Sequence, residues 1–277
     1  MTDLTVRQAV QADRDPEVLV WLARLQLATS GQISALGWPG YGDERRKGWL
    51  RRVREAGLLE FVRTRRRTGH RLSLYRLTPM GAVAAARLLG DDQVTHAVRL
   101  AATEGIHLEH RLQVNDTVLR LVDSLGQDAV EVLLPHQRRL RWLTSGGVWH
   151  EVTPDVVLVC RKAEEALVIE YDRGLRSVDG VSLQLQRYRE AAEQPDLPRW
   201  AGRSSIAYAL HPPSPLRASA ILQAAAGAGL ESRVVVVAAR DLTVVVGDAF
   251  VKTHVASPRP TPNPGSESLP IETGFSS

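Results

Sequence analysis

The run Val152-Thr153-Pro154-Asp155-Val156-Val157-Leu158-Val159-Cys160 and, after it, Leu167-Val168-Ile169-Glu170-Tyr171-Asp172 decide how the second half of the chain is read. Both are aliphatic, largely β-branched stretches of strand length. Asp155 stands at the mouth of the first, and Glu170 and Asp172 close the second. Because side chains alternate along a strand, Glu170 and Asp172 share one face and Tyr171 takes the other. Three carboxylates meeting at strand ends raise one another's pKa and stay ionised together only beside a cation. Such oxygen donors suit Mg²⁺ or Mn²⁺, which keeps several waters and accepts substrate phosphate at its open positions.

Working outward, the spacing predicts a helix from about Glu104 to Leu125 and strands at Ala129–Leu134, Val148–Cys160 and Ala166–Asp172. The helix Val181–Glu193 follows, with Gln184 and Tyr188 four apart and so on one side. Then come the strand Ser205–Leu210, the helix Pro215–Ala226 and the strands Arg233–Ala238 and Leu242–Val246. The order over 104–210 is α-β-β-β-α-β, a mixed α/β core within an α+β chain. His107 and His110 share a helical face, but no third ligand spacing accompanies them, so they read as packing residues.

The first half has a different character. Residues 44–77 hold 12 Arg or Lys against three Glu, a net of +9, while the remainder carries −5. A helix over about 16–28 is expected, with Val18, Leu19, Leu22, Leu25 and Leu27 as its apolar stripe. A short helix at Gln32–Leu36, a turn at Gly37–Gly42 and a third helix from Asp43 to Ala56, ended by Gly57, complete a three-helix unit. On the third helix Trp49, Leu50, Val53 and Ala56 share one side, and Arg45, Lys47, Arg51, Arg52 and Arg54 cover the other. Two strands, Leu58–Thr64 and Arg71–Leu77, flank a basic tip, and a helix at Pro79–Leu89 follows. This is the order of a winged helix-turn-helix, whose third helix docks on its own core while facing double-stranded DNA. Arg63, Arg65, Arg66 and Arg67 are then placed for backbone or minor-groove contact.

Length and composition bound the rest. The chain has 277 residues, a formal charge of +4, 44% hydrophobic and 24% charged residues, the profile of an ordinary soluble protein. The lone cysteine, Cys160, excludes an intrachain disulfide framework and a Cys-cluster zinc site. No apolar leader opens the sequence and no run of about 18 apolar residues occurs, so a cytoplasmic protein without a membrane partner is expected. The expected division is an extension at 1–15, a winged helix at 16–90, a linker at 91–103, a second domain at 104–250 and a disordered Pro/Ser-rich tail at 256–277.

These residues resemble the PD-(D/E)xK nuclease superfamily, whose fold is the α-β-β-β-α-β, restriction-endonuclease-like core. Pro154-Asp155 matches the PD element, and Glu170-Tyr171-Asp172 stands where (D/E)xK is expected. Gln184-Leu185-Gln186-Arg187-Tyr188 resembles the QxxxY helix of its exonuclease branch, and Glu109 sits where many members carry an additional acid. The whole layout, over about 16–240, resembles the replication-relaxation family of plasmids and integrative elements. That resemblance rests on the winged helix, His110 with Val114-Asn115-Asp116, the PD strand and the run Glu170-Tyr171-Asp172-Arg173-Gly174. It implies DNA binding during replication, mobilisation or transfer, with replication or transfer proteins as partners. As implied, Asp155, Glu170 and Asp172, with Glu109 as an added candidate, hold Mg²⁺ or Mn²⁺. Gln184 and Tyr188 then position water or phosphate. One position departs from the motif: Asp172 replaces its lysine, and Arg173 or Arg176 is the nearest cation in sequence, although arginine is no proton-transfer base.

Two readings follow. In one, the chain is a Mg²⁺-dependent deoxyribonuclease. In the other, it is a non-catalytic transcriptional regulator or replication accessory factor, needs no cofactor, and uses a degenerate nuclease fold for dimerisation or partner binding. Reading a palindrome would favour a two-fold homodimer. No G-x-x-x-x-G-K-[ST] run, no His-apolar-His triplet and no G-x-S-x-G is present, which argues against P-loop, tyrosine-relaxase and serine-hydrolase chemistry. Gly227-Ala228-Gly229 reads as a helix cap.

Overall fold

A computed structural model describes residues 15–37, 43–65, 71–97, 105–161 and 165–245. The expected extension, most of the turn at 37–42, Arg66 and Arg67 at the basic tip, and the tail lie outside the described residues. The fold is α+β.

The N-terminal unit runs α1 (Asp15–Leu25), β1 (Ala28–Thr29), α2 (Ser30–Gly37), α3 (Asp43–Glu55), β2 (Leu59–Arg65), β3 (Arg71–Leu77) and α4 (Pro79–Leu89). α1 is shorter than its stripe suggests. Gln26 takes φ 67°, which turns the chain so that Ala28 and Thr29 pair antiparallel with Tyr75 and Leu74. Only this distant partner makes the two-residue strand, so no local pattern announced it. β2 and β3 pair from Leu59↔Leu77 to Arg65↔Arg71. α4 begins at Thr78, whose hydroxyl accepts from Gly81 N at 3.0 Å with Pro79 at the first helical position, and ends at Gly90 with φ 66°.

After a short helix α5 (Val94–Ala97), the long α6 (Gly105–Leu125) leads into β4 (Val130–Val132), β5 (Leu140–Leu143), β6 (Trp149–Val152), β7 (Val156–Cys160) and β8 (Ala166–Asp172). α7 (Val178–Ala192), α8 (Arg199–Gly202), β9 (Ser204–Leu210), α9 (Pro215–Gly227) and β10 (Val234–Ala238) complete the set. The main sheet has the order β10-β9-β8-β7-β4, parallel among β8, β9 and β10 and antiparallel at β7 and β4.

Two expectations are corrected here. Val148–Cys160 is not one strand: it breaks at Thr153-Pro154-Asp155, and β6 pairs with β5 in a separate hairpin while β7 joins the main sheet. Proline has no N–H to give a ladder, so the break falls beside Pro154. Leu242–Val245 is a helical turn in place of a strand: Val244 N and Val245 N both donate to the Asp241 carbonyl. Its valines favour strands, but β-propensity yields where Leu242 gains burial by curling back onto the core.

Packing follows the alternation. Leu167, Ile169 and Tyr171 of β8 join Val114, Val118 and Leu121 of α6 and the N-terminal unit in one apolar cluster. Ala166 and Val168 join Val181, Leu185 and Tyr188 of α7 and Ile221 of α9 in the other. Glu170 occupies the next position of that second face, where an aliphatic side chain would otherwise fit.

Candidate functional site

Asp155 is placed by the chain break before β7, opposite the end of β8. Its Oδ2 accepts from Tyr171 N at 2.9 Å, continuing the inter-strand ladder through a side chain. Its Oδ1 pairs with Nε2 of His110 on α6, also at 2.9 Å. Burial opposes ionisation of Asp155, but the hydrogen bond and charge of His110, the Tyr171 N–H and nearby Arg111 outweigh it and hold the carboxyl below its usual range.

Glu170 behaves in the opposite sense. It is 4% exposed, and burial and the Asp155 charge push its pKa up to about 8 against hydrogen bonds from Tyr188 and Gln184 and the charge of Arg176. Tyr188 donates its hydroxyl to Glu170 Oε1, and burial together with Glu170 drives the phenol well above its ordinary value. Gln184 Oε1 accepts from Arg176 Nη1 and, at 3.1 Å, from the hydroxyl of Tyr208, which sits beside Glu170 in the β8–β9 register. Gln184 thus relays between Arg176, Tyr208 and Glu170.

The third carboxylate is engaged elsewhere. Asp172 Oδ1 accepts from Gly174 N at 2.8 Å, and Oδ2 accepts from Arg217 Nε of α9 at 2.6 Å. Glu109 lies one residue before His110 but does not line the cavity, whereas His107 and His110 do. Among the described residues no group of three or more His, Cys, Asp or Glu is disposed to hold a metal ion. Asp172 lines the same cavity as Asp155 and Glu170, but both of its oxygens are engaged, by Gly174 N and by Arg217 Nε.

The site opens into a 360 Å³ cavity lined by His107, His110, Asp155, Glu170, Arg173 and Arg176, among others. Beneath it lies a cation that no motif indicated. Arg138, 5% exposed, donates Nη1 to the Asp155 carbonyl, and burial and Arg111 lower its pKa to about 10 against the pull of Asp155 and Glu170. It sits between β4 and β5, where only tertiary structure brings it under the carboxylates.

A family model described as replication-relaxation matches residues 19–201. The chain belongs to the replication-relaxation family. The match takes in the N-terminal unit, α6 and both site carboxylates, and stops short of Tyr208 and Arg217. A crystal structure of a protein from Vibrio cholerae aligns at 13% identity and a TM-score of 0.32, covering 91% of this chain and 55% of that one. This chain thus spans little more than half of that protein's length. No curated protein matches.

Within this replication-relaxation protein, the Val114-Asn115-Asp116 run has a structural placement. Asn115, 1% exposed, donates Nδ2 to the carbonyls of Leu27 at 2.7 Å and Leu25 at 3.3 Å. Asp116 Oδ1 accepts from Gln32 Nε2 at 2.7 Å. α6 therefore carries His107 and His110 to the cavity and, two turns on, fastens the N-terminal unit.

The expected DNA-binding face is partly described. Trp49, Leu50 and Val53 of α3 are buried, while Lys47, Arg51, Arg52 and Arg54 are exposed. Lys47 pairs with Glu44 at 2.8 Å. Arg54 and Arg63 both lie over the Phe61 ring, at 5.3 and 5.6 Å. The side chains of Arg45 and Arg65, like Arg66 and Arg67, lie outside the described residues. No helix among the described residues is long and apolar enough to cross a membrane.

Proposed function

We propose that this replication-relaxation protein binds double-stranded DNA of a plasmid or mobile element through a winged N-terminal unit and cleaves or nicks it at the Asp155–Glu170 site. The observation that carries the chemistry is a carboxylate pair, buried Glu170 and half-buried Asp155, lining one cavity, with pKa values driven apart by their surroundings. Burial first and the Asp155 charge second oppose ionisation of Glu170, and a bound divalent cation would relieve the second. Two carboxylates fit Mg²⁺ or Mn²⁺, which keeps its waters and takes phosphate at open positions.

Asp155 and Glu170 would hold the ion, and when bound it would lower the pKa of water and offset phosphate charge. The chain's own groups do the rest. His110 and the Tyr171 N–H hold Asp155 in place, Tyr188 and Gln184 orient Glu170, and Arg138 fixes the Asp155 backbone from below. On the N-terminal unit, exposed Arg51, Arg52 and Arg54 supply phosphate contacts, while buried Trp49 and Val53 seat the helix.

A second reading, a non-catalytic regulator or replication accessory factor, is favoured by one observation. Asp172, at the lysine position of the nuclease motif, is bound to Arg217. The test is cleavage of supercoiled, linear and single-stranded DNA by the wild-type chain and Glu170→Ala with Mg²⁺, Mn²⁺ or EDTA. Cleavage that needs the metal and drops at least about 100-fold in the variant is expected. Binding without cleavage in every condition would establish the regulator.

A further inference from the structure

The loop joining β8 to α7 is held at both ends. Asp172 accepts from Gly174 N and Arg217 Nε, and Gly174 takes φ 70°. Ser177 caps α7 by accepting from Gly180 N at 3.1 Å. Arg176 leaves this loop exposed to solvent, yet its Nη1 reaches Gln184 Oε1, two turns into the helix. Its stem runs across Gly180, where a β-carbon would lie 2.9 Å from Arg176 Cγ and 3.5 Å from Cδ. Glycine at 180 thus leaves room for this stem and for the capping Ser177 hydroxyl, 3.2 Å from the same point.

Arg176 also lines two spaces at once: the 360 Å³ cavity of Asp155 and Glu170, and a 210 Å³ groove bounded by Glu151, Thr153, Leu183 and Arg187. Arg173 lines the same cavity, but Arg176 alone of the two reaches Gln184 beside Glu170 and lines both spaces. Arg217 is bound to Asp172, Arg138 to the Asp155 carbonyl, and neither lines the cavity.

We propose that Arg176 is the cation that grips the scissile phosphate, standing in for the lysine that Asp172 replaces. This rests on the phosphodiester-cleavage reading above. Gln184 engages one of the five guanidinium donors, and the fork matches two non-bridging phosphate oxygens. In the hydrolysis it serves, water's oxygen bonds to phosphorus and the bridging P–O bond breaks. One water proton goes to solvent, and the departing alkoxide takes one up. Arg176 only donates hydrogen bonds, consistent with a guanidinium that keeps its proton.

Three variants of the full chain test it: Arg176→Ala, Arg176→Lys and Gly180→Ala. One measurement is cleavage of supercoiled DNA with Mn²⁺. The second is binding of a short fluorescent single-stranded oligonucleotide in EDTA, in an Arg51→Ala/Arg52→Ala background that weakens the N-terminal contribution. Arg176→Ala is expected to lower kcat/KM about 100-fold and oligonucleotide affinity about tenfold. Arg176→Lys regains part of both, because a point charge remains without the fork. Gly180→Ala keeps the charge but displaces its stem, and lowers cleavage about tenfold. Wild-type-like cleavage and oligonucleotide binding by Arg176→Ala would overturn the proposal while leaving the nuclease reading intact. A wild-type chain that cuts nothing would defeat the nuclease reading instead, and the oligonucleotide measurement then decides Arg176 alone.

Discussion

Glu170 has a folded pKa near 8 against an ordinary value of 4.5, with burial the first cause and Asp155 the second. A group raised in this way stabilises the fold fully below its unfolded value and loses that contribution as pH rises through its folded value. Stability should therefore fall between about pH 4.5 and 8 on account of this side chain. Glu170→Gln keeps the shape and removes the charge, so urea unfolding at several pH values should give a flatter profile. At alkaline pH it should exceed wild type by on the order of 1–3 kcal/mol. A wild-type stability no more pH-sensitive than the variant's would show that Glu170 is not held neutral. The carboxylates themselves were legible in sequence because strand alternation places them. The Asp172–Arg217 pair was not, because Arg217 lies on an element 45 residues away.

Among the elements, α6 links the two halves most directly. Asn115, itself buried, donates to two backbone carbonyls where α1 ends and β1 begins. Asn115→Ala should cost about 1–3 kcal/mol in chemical denaturation, the penalty of the lost hydrogen bonds plus a small cavity. A loss under about 0.5 kcal/mol would mean that the α1–β1 turn relaxes to find other donors. Element types were mostly readable: Arg71–Leu77, Ala166–Asp172 and Pro79–Leu89 fall at their expected bounds. Their strand alternation or cap chemistry is local. Where that failed, at Val148–Cys160 and Leu242–Val245, the outcome depended on which sheet edge was within reach.

At the scale of the molecule, side chains of both halves join in one apolar cluster, from Val18 and Trp49 to Val122, Ile169 and Leu242. Arg24 reaches Glu131 at 3.6 Å and Asp91 accepts from Gln137 at 3.2 Å, adding polar ties between the segments. The net +9 over residues 44–77 sits on a body of opposite sign, a distribution that orients the chain toward a polyanion. Arg51→Ala with Arg52→Ala should weaken binding to double-stranded DNA. It should also reduce the slope of log K against log salt by about 2, as two phosphate contacts are lost. Unchanged affinity and slope across several salt concentrations would remove α3 from the DNA interface.

What residue order alone determined is local: the amphipathic α3, the capped α4, the apolar strands with acids at their ends and the basic block. Each follows from neighbours a few positions apart, through helical or strand periodicity and cap hydrogen bonds. Tertiary structure decided the rest. It bound Asp172 to Arg217, set Arg138 beneath Asp155, turned Asn115 and Asp116 into fasteners and laid Arg176 over Gly180. Each of those depends on groups brought together by the sheet order, the docking of α6 or the path of the β8–α7 loop. No periodicity encodes which side chain a buried charge will meet.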